Sequence, residues 1–241
     1  LMFIDGDPIK YQELTQKFIN ISKRYTDRVE VYSVDEVFLD FTGWAKTYRD
    51  AANIVKKLKR DIYYEVGDYI TCSVGIAPNR TMAKLASSMK KPNGIVLIPP
   101  DQVREVLDWV ELTDIPGIGD RLKVRLFDMG IRTLTQLGNH PVTELKRVFG
   151  PNNGVMLSKM GKGTYDIEIA YAHQVEPAKS IGHSYTLAAN TADRDEVYRV
   201  LLRLSEKVGR RLRRHKYEAR RVTVHLRWED MTTSGQGKTI K

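Results

Sequence analysis

The chain is poor in cysteine, and it contains no long run of apolar residues. Cys72 is the single cysteine among 241 residues, so an internal disulfide is excluded and a reducing compartment is favoured. No segment approaches the roughly 18 consecutive apolar residues that a membrane-spanning helix needs, and the N-terminal residues lack the pattern of a signal peptide. We therefore expect a cytoplasmic protein without a membrane partner, in which Cys72 is a buried structural thiol.

Acidic residues are in the minority, and the excess of positive charge is unevenly distributed. Lys and Arg number 39 against 30 Asp and Glu, a formal net charge of +9. Residues 179–241 hold fifteen of the basic residues and seven of the acidic ones, so nearly all of the excess lies there. Clustered positive charge of this kind favours a polyanion such as nucleic acid, and a solubilising surface is the alternative.

Residues 27–43 predict two short strands that meet at an acidic tip. β-branched and aromatic residues lead into the tip and out of it, and Asp35 and Glu36 are adjacent at the tip itself. Two neighbouring carboxylates between apolar residues repel each other and lose hydration, so a cation should offset them. Mg²⁺ is a natural candidate because it takes carboxylate oxygens together with phosphates. For such a pair taken alone, a solvated hairpin tip is the alternative.

The rest of the first hundred residues alternates between helix and strand patterns. Apolar spacing predicts helices at 8–25, 48–66 and 80–89 and strands at 70–77 and 95–98. Helices between non-consecutive strands indicate an α+β fold with a sheet layer. Lys90 and Lys91 lie in a KKPNG turn, where an ammonium could contact a triphosphate as a point charge or could simply be solvated.

Residues 101–160 show short helical segments without a strand pattern, and one turn among them is rich in glycine. The turn Ile115-Pro116-Gly117-Ile118-Gly119 joins two helices, and its glycines allow positive φ and leave backbone N–H groups uncovered. Such groups at a helix N-terminus can bind a phosphate. The pattern is that of a helix-hairpin-helix motif, which grips a DNA backbone without reading sequence. An ordinary helix turn with glycine at the C-cap is the alternative.

The basic C-terminal segment follows a stretch without strong periodicity, residues 165–178, which is predicted to be a linker. Strands are predicted at 179–188, at 220–228 and from 237 onward, around a basic amphipathic helix at 194–214. We expect the sheet of this segment to carry DNA contacts and the arginines of the helix to form a solvated face.

Four motifs, in order along the chain, resemble those of the Y-family (translesion) DNA polymerases. They are YSVDEVFLDFTG from Tyr32, SVGIAPNRTMAKLASSMKKPNG from Ser73, DIPGIGDRLKVRL from Asp114 and KSIGHSYTL from Lys179. The resemblance covers nearly the whole chain and is strongest toward the DNA polymerase IV branch. The bacterial mutagenesis polymerases are a closely related branch, but the KPNG sequence argues mildly against assigning the chain to them.

The resemblance implies an α+β chain of four parts. They are a palm at 1–98, a thumb with the helix-hairpin-helix at 99–164, a linker at 165–178 and a little finger at 179–241. The family's first palm strand, its fingers domain and its steric-gate aromatic residue have no counterpart here and are expected upstream of Leu1. The last elements of the little finger are expected beyond Lys241.

The resemblance also implies template-directed nucleotidyl transfer from deoxynucleoside triphosphates to a primer 3′-hydroxyl. Asp35 would bridge two Mg²⁺ ions, which Mn²⁺ can replace, and Glu36 would hold the ion nearest the primer. Lys91 and Lys84 would contact the triphosphate. DNA contacts are assigned to Ser33, Pro116, Gly117, Ile118, Gly119, Arg121, Lys179, Ser180, Ser184 and Arg221.

The family's first catalytic aspartate lies on the missing strand, so residues 1–241 alone are expected to bind DNA and to polymerise poorly or not at all. A monomer on primer-template DNA is expected, with a sliding clamp as a further partner through the family's usual C-terminal tether. A non-catalytic helix-hairpin-helix module is one rival, and it would bind DNA without Mg²⁺. A metal-dependent nuclease using Asp35 and Glu36 is another. The lack of a further acidic cluster or of a histidine beside the pair counts against the nuclease.

Overall fold

The chain divides into two units, Leu1–Val175 and Glu176–Lys241. The computed structural model describes residues 6–169 and 178–240. Residues 170–177 of the predicted linker, and Lys241, lie outside the described residues. No helix in the described part of the chain is both long and apolar enough to cross a membrane.

The first half of the first unit alternates helices with short strands, as the sequence predicts. The helices are α1 (Pro8–Ser22), α2 (Tyr48–Glu65) and α3 (Arg80–Met89), and the strands are β1 (Val29–Val31), β2 (Val37–Leu39), β3 (Val74–Ile76) and β4 (Ile95–Leu97). β1 and β2 form an antiparallel hairpin, whereas β3 and β4 are parallel and are connected through α3. The predicted strand at 70–77 is shorter in the structure, because the three-residue β4 offers pairing partners to Val74–Ile76 alone.

Helix α3 lies very close to the strand that precedes it. A Cβ atom on Gly75 of β3 would stand 2.0 Å from the carbonyl oxygen of Ala83 and 2.5 Å from the backbone nitrogen of Ser87. Only glycine permits this approach of helix backbone to strand backbone. Another face of α3 carries the buried side chains of Met82 and Leu85. The position of α3 is therefore set on both sides.

The second half of the first unit consists of short helices, again as predicted. They are α4 (Val103–Trp109), α5 (Asp120–Asp128), α6 (Leu134–Asn139), α7 (Val142–Phe149) and α8 (Pro151–Gly161), with 3₁₀ turns at Pro100–Gln102 and Leu112–Asp114. One hydrophobic cluster connects Met82 and Leu85 of α3 with Leu107, Leu126 and Leu157 of these helices. Helix α3 and the short helices thus share a core.

A smaller cluster lies between α1 and α2. Ile21, Leu58 and Ile62 are buried there, and Cys72 packs against them. Cys72 is half-buried, where a fully buried thiol was expected, and burial raises the pKa of its thiol. Tyr25, beside the cluster, has its pKa raised to about 12 by burial and by its hydrogen bond to Asp61.

The second unit contains one long helix and one hairpin. They are α9 (Arg194–His215) and the antiparallel strands β5 (Arg221–Arg227) and β6 (Thr233–Thr239). β6 begins before the predicted residue 237. Gly235 and Gly237 lower the strand propensity of this sequence, and the strand forms because it pairs with β5.

The predicted strand at 179–188 is wrong. Within residues 178–240 the only sheet consists of β5 and β6, and residues 179–188 do not pair with it. It is fastened by a side chain instead, because Nη1 of Arg211 donates to the carbonyl oxygen of Gly182 at 2.8 Å. Alternation in the sequence is therefore not enough, because a segment becomes a strand only when its backbone is paired with a neighbouring strand.

Candidate active site

The β1–β2 hairpin closes in a short acidic loop. The backbone N–H of Ser33 donates to the carbonyl oxygen of Glu36 at 3.1 Å, and the Ser33 hydroxyl donates to Oδ1 of Asp35 at 2.6 Å. The Thr15 hydroxyl on α1 donates to the carbonyl oxygen of Val34, which fastens the loop to the first helix. Asp35 is exposed. Its carboxylate is therefore oriented by Ser33 and open to solvent.

Glu36 is held by a cation from α3. Nζ of Lys84 lies 2.6 Å from Oε1 of Glu36, with 25% of the lysine side chain and 42% of the glutamate side chain exposed. The same ammonium lies 4.6 Å from the centre of the Tyr32 ring, at the distance of a cation–π contact. Lys84, predicted to contact a triphosphate, thus contacts one of the two predicted metal ligands.

A second ion pair joins the hairpin to α3, one helical turn away. Arg80 pairs with Glu30 of β1 at 2.8 Å, and only 13% and 15% of the two side chains are exposed. The Arg80 guanidinium also stacks over the rings of Phe38 at 4.4 Å and Tyr32 at 5.1 Å. Sequence reasoning missed this residue. Its signal is the i, i+4 spacing of Arg80 and Lys84, which places two cations on one face of α3.

The start of α3 is fixed to the chain that leaves α8. Asn79 caps the helix, with Oδ1 accepting from the N–H of Met82 at 2.9 Å, and its Nδ2 donates to the carbonyl oxygen of Gly163 at 2.8 Å. The backbone N–H of Arg80 donates to Oδ1 of Asp166 at 3.2 Å. The helix that supplies both cations is therefore anchored at its first turn.

Lys91 lies on the turn that follows α3, and its side chain is exposed. Among the described residues, no hydrogen bond or ion pair joins it to Asp35 or Glu36. The structure brings Lys84 to the acidic pair and leaves Lys91 free to meet a ligand that arrives from solvent.

The acidic pair offers the donor chemistry of a hard divalent cation. Asp35 and Glu36 supply carboxylate oxygens on consecutive residues, one exposed and one half-buried, and such oxygens are the ligands that Mg²⁺ and Mn²⁺ take. In residues 6–169 and 178–240, no group of three or more His, Cys, Asp or Glu side chains is placed to hold a metal. The pair fits part of a coordination shell, which substrate phosphate and water usually complete.

The predicted helix-hairpin-helix turn presents backbone groups to solvent. Gly117 has φ of +102°, a conformation that favours glycine. Gly119 precedes α5 as its N-cap, and no side chain caps the helix there. Ile115 and Ile118 are buried and anchor the turn. The first N–H groups of α5 are therefore available to an anion.

The predicted DNA-contacting residues of this turn differ in what they present. Arg121 is exposed on the first turn of α5, whereas Pro116 is half-buried. Ile118 is only 2% exposed as a whole residue, and its backbone N–H donates to the carbonyl oxygen of Ile115, so the structure does not present this residue to a ligand. Lys123 pairs with Glu111 across the turn at 2.9 Å. In the second unit, Lys179, Ser180, Ser184 and Arg221 are all exposed.

Family models match the chain in three places. Residues 1–88 match the impB/mucB/samB family and residues 178–241 match the impB/mucB/samB family C-terminal domain. Residues 113–164 match the DNA polymerase-iota thumb domain. The third match covers the helix-hairpin-helix turn and α5 to α8.

Curated relatives and solved structures agree with these models. DNA polymerase IV of Desulfatibacillum aliphaticivorans is 32% identical over 100% of this chain and 59% of its own length. DNA polymerase IV of Moorella thermoacetica is 32% identical over 95% of this chain and 56% of its own length. The chain thus spans a little over half the length of these relatives.

Two solved structures are similar to the whole chain. A Y-family DNA polymerase chimera of Dbh and Dpo4 matches with a TM-score of 0.84 at 27% identity, over 100% of this chain and 67% of that one. An insertion ternary complex of Dbh DNA polymerase matches with a TM-score of 0.64 at 27% identity, over 100% of this chain and 67% of that one.

Proposed function

Because the chain belongs to the Y family of DNA polymerases, and within it is DNA polymerase IV-like, we propose that it serves DNA-directed DNA synthesis across damaged templates. The observation that carries the proposal is the acidic tip of the β1–β2 hairpin. Asp35 is oriented by Ser33, and Glu36 is held by Lys84. A solvent-open pair of carboxylates fixed in this way suits cation-assisted phosphoryl chemistry.

We propose that Asp35 and Glu36 hold two Mg²⁺ ions, for which Mn²⁺ can substitute. Bound divalent cations activate an attacking hydroxyl and neutralise charge on phosphate oxygens. In this proposal the exposed Asp35 would serve both ions and the half-buried Glu36 would hold the ion on the primer side, as the resemblance to the family implies. The hydrogen bond from Ser33 would hold the Asp35 carboxylate in one orientation for this role.

The basic residues on and after α3 act on the incoming nucleotide. Lys91 is exposed on its turn and would contact the triphosphate as a point charge, in a step dominated by positioning and electrostatics. Lys84 balances the charge of Glu36 before the substrate arrives. It would be released toward the triphosphate when a cation takes its place.

We propose primer-template DNA and deoxynucleoside triphosphates as the ligands. The uncapped N-terminus of α5 and Arg121 would hold the DNA backbone, with further contacts from Ser33. In the second unit, exposed residues give the same backbone a basic and hydroxyl-bearing surface: Lys179, Ser180, Ser184 and Arg221. A monomer in the cytoplasm, with a sliding clamp as an additional partner, completes the proposal.

The division into a palm at 1–98, a thumb at 99–164, a linker at 165–178 and a little finger at 179–241 belongs to the same proposal. Three matched segments support it, because the thumb-domain model at 113–164 falls inside the second part. The C-terminal-domain model begins at residue 178, next to the expected start of the little finger.

Substitution of the acidic pair tests the function. In the natural protein, Asp35→Asn and Glu36→Gln should each abolish primer extension, because each removes a charged cation ligand. Binding of primer-template DNA should persist, since neither change touches the helix-hairpin-helix turn. Asp27→Asn changes an exposed acid outside the tip in the same stretch and is the matched control, with normal extension expected.

The same variants separate the rival functions. Normal extension by Asp35→Asn would overturn the proposed active site. Salt-sensitive DNA binding that never depends on a divalent cation, together with no extension by the natural protein, would favour the non-catalytic DNA-binding module. Cation-dependent cleavage of DNA, lost in both variants, would favour the nuclease.

A further inference from the structure

Helix α2 carries four basic residues in its central turns, and one of them is turned inward. Lys56, Lys57 and Arg60 are exposed, whereas Lys59 is half-buried. Burial lowers the pKa of the Lys59 ammonium. A lysine that loses hydration needs replacement hydrogen bonds, and the structure shows where Lys59 obtains them.

Nζ of Lys59 is surrounded by backbone carbonyl oxygens. It donates to Asn93 at 2.8 Å, to Gly94 at 3.4 Å and also to Cys72. An ammonium has three donors, and three acceptors are in place. Because the carbonyl dipoles converge on one point, their mutual repulsion is relieved by the positive charge between them.

Two of these carbonyls belong to the turn that carries Lys91. Asn93 has φ of +60°, and a Cβ on Gly94 would stand 2.0 Å from the carbonyl oxygen of Lys90. The chain therefore folds back on itself within a few residues after α3. The Ser73 hydroxyl adds a long contact to the Lys90 carbonyl oxygen at 3.5 Å. Lys59 is the charged group among the contacts that hold this turn.

We propose that Lys59 is a positioning residue for the incoming nucleotide, and that it acts by fixing the turn from which Lys91 reaches the triphosphate. The ammonium of Lys59 does not meet the substrate in this arrangement. It fastens the carbonyls of Asn93 and Gly94 to α2, so the backbone of Lys91 starts from one place. The inference rests on the proposed role of Lys91.

The position of Lys59 in the molecule supports this role. α2 is anchored by buried Val55, Leu58 and Ile62, and Lys59 extends from this rigid face to the exposed turn. The third acceptor of Lys59 is the carbonyl oxygen of Cys72, which lies just before β3. β3 pairs with β4, and β4 begins directly after the turn that carries Lys91. One side chain thus joins the helix, the approach to β3 and the Lys91 turn.

A double-mutant cycle tests the inference. Affinity for dGTP, with Ca²⁺ as the cation, would be measured on the natural protein bound to primer-template DNA. Lys91→Ala should weaken dGTP binding about tenfold, as expected for loss of one charged contact, and Lys59→Met about fivefold. The double variant should bind no more weakly than Lys91→Ala, because Lys59 acts through Lys91. Lys59→Arg should restore most of the affinity, and Lys56→Met is the matched control.

Amide hydrogen exchange supplies a second readout that does not involve nucleotide. Exchange in residues 90–94 should accelerate in Lys59→Met and stay unchanged in Lys56→Met. Additive losses in the cycle, or unchanged exchange, would overturn the inference. If Lys91→Ala binds dGTP normally, the proposed role of Lys91 fails, whereas the exchange data still decide whether Lys59 holds the turn. Should Lys59→Met not fold, Lys59→Gln goes through the same cycle and exchange measurements with the same criteria.

Discussion

At the residue scale, the Glu36 carboxylate already has a cationic partner that competes with a metal ion for one of its oxygens. Lys84 holds it at 2.6 Å, and neither side chain is fully buried. A partly exposed ion pair of this kind is worth up to about 1 kcal/mol. The ion pair offsets part of the repulsion between the two adjacent carboxylates. A cation that replaces Lys84 loses a similar free energy in binding.

Removing this competitor should strengthen metal binding. Lys84→Met should tighten Mn²⁺ binding to residues 1–241 about threefold, because the ammonium no longer competes for Oε1 of Glu36. The measurement is the free Mn²⁺ signal in electron paramagnetic resonance titrations. Lys56→Met, a neutralisation on the exposed face of α2, should leave the affinity unchanged. Weaker or unchanged binding in Lys84→Met would contradict the competition.

Sequence could predict the acidic tip because its signal is local. Asp35 and Glu36 are neighbours in the chain, and the strands around them follow from residues within one short stretch. The pairing of Glu36 with Lys84 spans 48 positions and depends on how α3 lies against the hairpin. Lys84 was therefore predicted to contact nucleotide, and its contact with Glu36 was not foreseen.

At the scale of elements, α3 and the β1–β2 hairpin are held together by two ion pairs of unequal burial. The Arg80–Glu30 pair is nearly enclosed, and the guanidinium is also stacked between aromatic rings. Such a pair contributes little when compared with an apolar replacement, but breaking it by removing one partner is strongly destabilising. The hairpin's attachment therefore depends on Arg80 more than on Lys84.

Loss of Arg80 should destabilise the first unit strongly. Arg80→Met should cost about 3 kcal/mol of unfolding free energy in urea melts, because it removes the nearly enclosed ion pair with Glu30 together with the guanidinium contacts to Phe38 and Tyr32. Arg104→Met removes the exposed pair with Asp108, where the charges are 3.8 Å apart and about half exposed, and should cost less than about 0.5 kcal/mol. A loss below about 1 kcal/mol in Arg80→Met would show that the pair is not the attachment.

The prediction of helices and strands succeeded where the apolar periodicity of a segment agrees with its capping or strand-pairing contacts. α2 begins at Tyr48 as predicted, because its apolar stripe and the Thr47 capping box agree. The segment 179–188 failed, since alternation alone does not supply a neighbouring strand. The start of β6 was missed because its glycines give the sequence little strand character. There, pairing with β5 imposes a strand on a sequence of low strand propensity.

At the scale of the whole molecule, positive charge is concentrated in residues 179–241, while the preceding residues are nearly neutral. A charge patch of this kind attracts DNA over about a Debye length, and its effect weakens as salt rises. If net charge alone governed DNA binding, a charged residue would have the same effect at any position in the chain. Because the charge is concentrated in one segment, we expect charges in that segment to matter more for DNA binding than charges elsewhere.

Two charge-matched double variants test this. Lys179→Glu/Arg221→Glu and Lys56→Glu/Lys57→Glu each lower the formal net charge from +9 to +5, and all four side chains are exposed. The first variant should weaken binding of a primer-template duplex at low salt. It should also reduce the slope of log K against log salt concentration by about the amount expected for the loss of two phosphate contacts. The second should retain both affinity and slope within a small factor, because α2 carries none of the proposed DNA contacts. Equal losses in the two variants would mean that the protein senses DNA through net charge alone, and the proposed interface in the second unit would then be wrong.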